Sequence, residues 1–165
     1  MTTKIKETTK IFTSIFPLWS LWYIGVLLIV YIISNIFSND GIASFFGFGM
    51  IANRTYLFVL AIISMLMFLE WAVNMGVSRK TFFKSMMITG LVTAVFITAV
   101  VALVSLGLSF TPFDGDYLIT EDMRYLNSFE YMLFHFLSGI LFWAAGVLIA
   151  ASFYRGFWAG MLSIL

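Results

Sequence analysis

Four long stretches almost free of charge constrain this chain more than any other feature. Residues 11–39, 85–113 and 131–154 contain no Asp, Glu, Lys or Arg, and residues 55–76 contain one acid, Glu70. Each stretch exceeds the roughly 20 residues an α-helix needs to cross a hydrocarbon layer of about 30 Å. Membrane strands are shorter, about ten residues, and alternate apolar with polar positions. These runs are uniformly apolar. Inside lipid the backbone must satisfy its own hydrogen bonds, which leaves the helix. Composition agrees: 62% of the residues are hydrophobic and 10% charged, whereas a soluble domain is about a quarter charged. The expected fold is therefore all-α, a polytopic transmembrane helix bundle forming one domain over residues 1–165. Its spans are expected near 17–37, 57–75, 85–108 and 131–153.

Two further segments are expected to touch the membrane. Residues 156–165 are apolar and read as the start of a fifth span, cut short at about 15 Å of helix. At the other end, Ile5, Thr9, Phe12 and Phe16 have helical spacing. They predict a short amphipathic interfacial helix before the first span, with Trp19, Trp22 and Tyr23 as headgroup-level anchors.

Orientation follows from the basic residues. Lys4, Lys6, Lys10, Arg79, Lys80, Lys84 and Arg155 fall on the N-terminal side of alternating spans, and only Arg54 and Arg124 on the other. The positive-inside rule then makes the N-terminus cytoplasmic. The loops at 38–54 and 111–130 are expected to be external. The first is rich in Gly and Phe and is expected to lie against the interface. The chain has no cysteine, so disulfides and thiolate metal sites are excluded.

One cytoplasmic loop has unusual chemistry. Gly76 is placed to end the second helix, and Ser78 to cap the next through its hydroxyl. Arg79, Lys80 and Lys84 would face water or anionic lipid, while Phe82 and Phe83 dip back into the interface. The expected product is a short, rigid helical corner between two spans.

The order Gly76-Val77-Ser78-Arg79-Lys80-Thr81-Phe82-Phe83 resembles the coupling segment of permeases of ATP-binding-cassette exporters, the type-2 class with six spanning helices. The N-terminal amphipathic segment and the Tyr154-Arg155 pair are similar to that layout too. The resemblance is specific over about ten residues; the incomplete fifth helix and missing sixth depart from it. It implies a multi-pass permease subunit in a bacterial cell membrane, paired with a second permease subunit as homodimer or heterodimer. It further implies a cytosolic ATPase partner docked at Asn74 to Phe83. That partner would hold ATP and Mg and drive export of an amphipathic or hydrophobic substrate, such as a peptide, lipid or drug. The chain itself has no G-x-x-x-x-G-K-[S/T] phosphate loop, so it is expected to be no enzyme and to need no cofactor of its own. Nothing suggests a nucleic-acid partner.

A possible intramembrane polar site comprises Glu70, His135 and Ser138. An acid within a span is costly unless paired; Glu70 is placed to meet Arg79, Lys80 or an N-terminal lysine, or to reach water. His135 and Ser138 share a helix face. Residues on one face rarely converge as a hydrolase requires, so a bond from His135 to a neighbouring helix, or a place in a polar cavity, is the better expectation. A lone His holds no metal. Gly90, Gly139 and Gly146 mark small faces for close helix approach. The alternative reading of the whole is a small four-span accessory or immunity protein that binds a membrane partner without transporting.

Overall fold

A computed structural model of the protein describes residues 2–37, 44–108, 110 and 128–155. The described residues form four helices: α1 (Thr2–Phe37), α2 (Phe45–Asn74), α3 (Arg79–Leu108) and α4 (Ser128–Arg155). All four are long and apolar enough to cross a membrane. The segment 156–165, expected to begin a fifth span, and most of the loop at 111–130 lie outside the described residues.

Two expected boundaries differ from the structure. First, the interfacial helix and first span are one continuous helix of 36 residues, running straight through Pro17. Proline removes one backbone hydrogen bond, yet membrane helices tolerate it when neighbours support the freed groups. The face predicted to lie on headgroups faces protein instead. Phe12 and Phe16 are buried, with Phe12 against Phe68 at 5.3 Å and Phe82 at 5.9 Å between ring centroids. Trp19 and Trp22 are exposed, but Tyr23 stacks flat on Tyr56 at 3.9 Å and is no free anchor. Second, residues 45–54, expected in an external loop, are the first turns of α2. Ser44 caps that helix by accepting from the Gly47 N–H at 3.3 Å.

Packing runs crosswise in sequence: α2 lies chiefly on α4, and α1 chiefly on α3. Small residues set the closest contacts. At Gly146 a Cβ would stand 2.6 Å from the Phe58 carbonyl oxygen and 2.9 Å from the Ala61 Cβ. Helix α4 therefore rides on the backbone of α2. At Gly90 a Cβ would collide with the Trp143 indole. Trp143 is fully buried there and donates its Nε1–H to the Met86 carbonyl at 3.2 Å. Lipid offers no hydrophobic force between helices, so this close fit and these buried hydrogen bonds hold the bundle.

Candidate functional site

The structure gives two chemically distinct places, one toward each end of the bundle. At one end the corner between α2 and α3 is closed by a complete set of local bonds. Gly76 has φ 75°, the left-handed conformation that glycine adopts without steric cost. It lets the Val77 N–H reach the Ala72 carbonyl and the Gly76 N–H reach the Val73 carbonyl, each at 2.9 Å. Ser78 then caps α3: its Oγ accepts from the Thr81 N–H at 3.2 Å and donates to the Thr81 Oγ1 at 2.9 Å. Four residues thus separate two helices, and Arg79 to Phe83 are the first turns of α3 rather than a separate docking helix.

The corner's side chains divide by direction. Asn74, Gly76, Ser78, Arg79, Lys80 and Lys84 are exposed, and Val77 and Phe83 are half-buried. Thr81 is buried. Phe82, expected at the interface, is buried against Phe12 inside the bundle. The reason is that α1 continues down past the corner and covers it. Arg79 lies over the Tyr154 ring at 5.8 Å from its centroid. Beside it is a cleft of about 270 Å³, walled by Met65, Leu69, Phe83 and Ala151.

Glu70 belongs to this end. It is exposed on α2, seventeen residues from Asn53 and so about 25 Å along the helix. The structure does not bring it to His135 and Ser138.

Those two residues anchor the second place. His135 is buried between three helices. Its Nε2 lies 3.1 Å from Asn53 Nδ2 of α2, and its Nδ1 lies 3.0 Å from Thr98 Oγ1 of α3. With Nε2 accepting from the amide, Nδ1–H donates to Thr98, and the neutral ring is satisfied at both nitrogens. Ser138, one turn along α4, donates to the His135 carbonyl at 2.9 Å and accepts from Arg54 Nε–H at 3.0 Å. The Arg54 guanidinium also lies over Phe134, 5.2 Å from the ring centroid. Phe46 packs on His135 at 5.0 Å and on Tyr131 at 5.1 Å. Tyr131 and Phe46 open onto a cleft of about 330 Å³ that also touches Ser44 and Ser105.

This cluster is incompletely satisfied. Asn53 Oδ1, Arg54 Nη2 and the Tyr131 hydroxyl are buried without a hydrogen-bond partner. Sequence reasoning found His135 and Ser138 but missed Asn53, Thr98 and Tyr131, and treated Arg54 as a loop residue. The available signal was Thr98, an isolated hydroxyl within an apolar run, where a polar group costs on the order of 1–3 kcal/mol unless partnered; Asn53 and Arg54 stand together with Thr55 and give no such signal. The cluster can hold hydrogen-bond acceptors and negative charge; with Nδ1–H donating to the Thr98 hydroxyl, the ring does not act on that hydroxyl as a base. Among the described residues, no three His, Cys, Asp or Glu side chains are grouped to hold a metal ion. Compared with known proteins, the chain matches no family model, no curated protein and no solved structure.

Proposed function

We propose that the chain is a permease subunit of an ATP-binding-cassette exporter, with the α2–α3 corner as the surface that meets a cytosolic ATPase. The observation that carries this reading is the construction of the corner. A transmitted push needs a segment that does not bend, and here the Gly76 turn and the Ser78 cap fix both helix ends. It also needs an exposed contact surface, and Arg79, Lys80 and Lys84 supply one of positive charge. Finally it needs an attachment to the membrane helices, and Phe82 is buried against Phe12 of α1. An ordinary connecting loop requires none of the three.

In this reading the corner faces the cytoplasm of a bacterial cell, because most basic residues lie at its end of the bundle. A partner ATPase carries ATP and Mg. A second permease subunit completes the pathway for an amphipathic or hydrophobic substrate.

The test is the double substitution R79E/K80E. Exposed charge pairs contribute about 1 kcal/mol or less each, so the pair is changed together. Co-purification of an ATPase with the wild-type chain, lost in the double variant along with substrate-stimulated ATP turnover, is the expected result. A cysteine at Ser78 should be shielded from an impermeant thiol reagent applied to intact cells. Wild-type chain that brings down membrane proteins but no ATPase, and is unaffected by the double change, returns the accessory four-span reading.

A further inference from the structure

Arg54 is the one described residue whose charge lies within the membrane part of the bundle and close to other buried polar groups. It stands nine residues into α2, about 14 Å from the helix start. A 30-residue helix is about 45 Å long,, so a centred layer of about 30 Å puts this backbone position about 6 Å inside its edge. Ser138 takes the Arg54 Nε–H and Phe134 lies against the guanidinium face. Both partners are neutral. They fix the guanidinium without offsetting its charge, and Nη2 is buried with no acceptor.

The surroundings indicate where an anion would come from. Ile51, Phe134, Leu137 and Leu141 share the outward seam of α2 and α4 with Arg54, and they are 53%, 43%, 53% and 67% exposed. An apolar, outward-facing wall beside a fixed cation is suited to an acyl chain below a charged headgroup. Along a helix, side chains lean toward its N-terminus, which for α2 is the nearer membrane edge, where lipid phosphates lie.

We infer that the α2–α4 seam at Arg54 is a binding site for the oxyanion of an anionic phospholipid, with Arg54 as its cation and Ser138 as the residue that fixes the guanidinium. A guanidinium offers paired N–H groups to a phosphate in a planar fork. With Nε taken by Ser138 and Nη2 inside the bundle, Nη1 is the group left to meet the ligand. This inference is independent of the proposed exporter function. It uses only the opposite end of the bundle from the corner.

The experiment is native mass spectrometry of the delipidated chain in neutral detergent, offered equal amounts of phosphatidylglycerol and phosphatidylcholine with matched acyl chains. One positive charge near the headgroup plane corresponds to about a fivefold preference. Wild type should therefore retain phosphatidylglycerol about fivefold over phosphatidylcholine, and R54Q should show no preference. S138A keeps the charge but releases its anchor, and should reduce the preference even if R54Q fails to fold. A second arm adds millimolar inorganic phosphate. Undiminished phosphatidylglycerol binding identifies the lipid as the source of the oxyanion; displacement identifies free phosphate as the ligand and overturns the lipid assignment. Equal retention of both lipids by wild type, or an unchanged preference in both R54Q and S138A, overturns the site. Loss of a co-purifying membrane protein in R54Q, with no lipid preference in wild type, would assign the charge to a protein acid instead.

Discussion

The same substitution, glycine to alanine, should have opposite effects at Gly146 and Gly25, and the contrast tests how this bundle is held together. At Gly25 nothing lies within 4 Å of the added methyl group. Only the intrinsic term remains: alanine in a helix interior is favoured over glycine by roughly 0.5–1 kcal/mol. At Gly146 the methyl carbon would stand 2.6 Å from the Phe58 carbonyl oxygen and 2.9 Å from the Ala61 Cβ. Neither is the end of a flexible side chain. To restore an ordinary contact of about 3.4 Å the two helices must part by about 0.8 Å, and a gap of that size forfeits a quarter to a half of the dispersion energy across it. Overpacking of this kind costs about 1–3 kcal/mol.

Subtracting the helix gain leaves G146A destabilised by about 1–2 kcal/mol and G25A stabilised by up to about 1 kcal/mol. Thermal challenge of fluorescent fusions, followed by size-exclusion chromatography of the survivors, reads the difference as a shift in midpoint temperature. Two further glycines grade the effect. G139A meets only the movable Leu57 Cδ1 at 2.9 Å and should be mild; G90A displaces the Trp143 indole and should be the most severe. If G146A survives heat as well as G25A, the backbone-to-backbone contact of α2 and α4 does not hold the fold, and the packing argument fails.

The corner and the polar cluster each give a further expectation. G76A forces a Cβ into a φ of 75° and should cost about 1–2 kcal/mol, while S78A removes the α3 cap at about 1 kcal/mol; the two act on one turn, and the same heat assay should show the double variant losing less than the sum. H135A strands the Asn53 amide and the Thr98 hydroxyl in the bundle interior and should cost about 1–3 kcal/mol. Combining H135A with N53A should be milder than the separate losses added together, and full additivity would mean the pair is not coupled.

What could be read from the chain alone follows from which forces are local. The helical class and the four helices long and apolar enough to cross a membrane are legible because hydropathy over some twenty residues is a property of each run by itself. The corner is legible for the same reason: Gly76 and Ser78 act on backbone groups within five residues of them. The start of α2 was not. Gly47 and Gly49 look like loop residues, yet Gly49 is buried, with the Val101 Cγ1 only 3.2 Å from where its Cβ would stand. A glycine that admits a neighbour and a glycine that bends the chain are identical in sequence. Phe12 and Phe16 were placed on one helix face but given headgroups as neighbours, and Phe82 was given the interface, whereas all three are buried. Periodicity says which side of a helix is apolar; it does not say whether lipid, headgroup or another helix covers that side. The partners of His135 come from residues 82 and 37 positions away, and no local pattern connects them.

The two ends of the bundle are built to respond differently to force. Near the corner, Phe82 touches Phe12, Phe12 touches Phe68 and Phe16, and Phe16 lies 6.1 Å from Trp143. Trp143 is in turn keyed into α3 at Gly90 and bonded to Met86. Every link is a packed ring. Rings at close packing density cannot slide without opening voids, so a displacement of the corner carries parts of all four helices with it. At the opposite end ring contacts of Phe46 with His135 and Tyr131 are joined by hydrogen bonds among Asn53, Thr98, His135, Ser138 and Arg54, with the Asn53 Oδ1, Arg54 Nη2 and Tyr131 hydroxyl unpaired. In a low-dielectric interior each such bond is strong and each unpaired group is costly, so a partly satisfied network gains from any shift that supplies the missing partners. A displacement of the corner would therefore be carried along the ring contacts to all four helices, and the polar cluster where α2, α3 and α4 meet is the place with unpaired groups to gain from it.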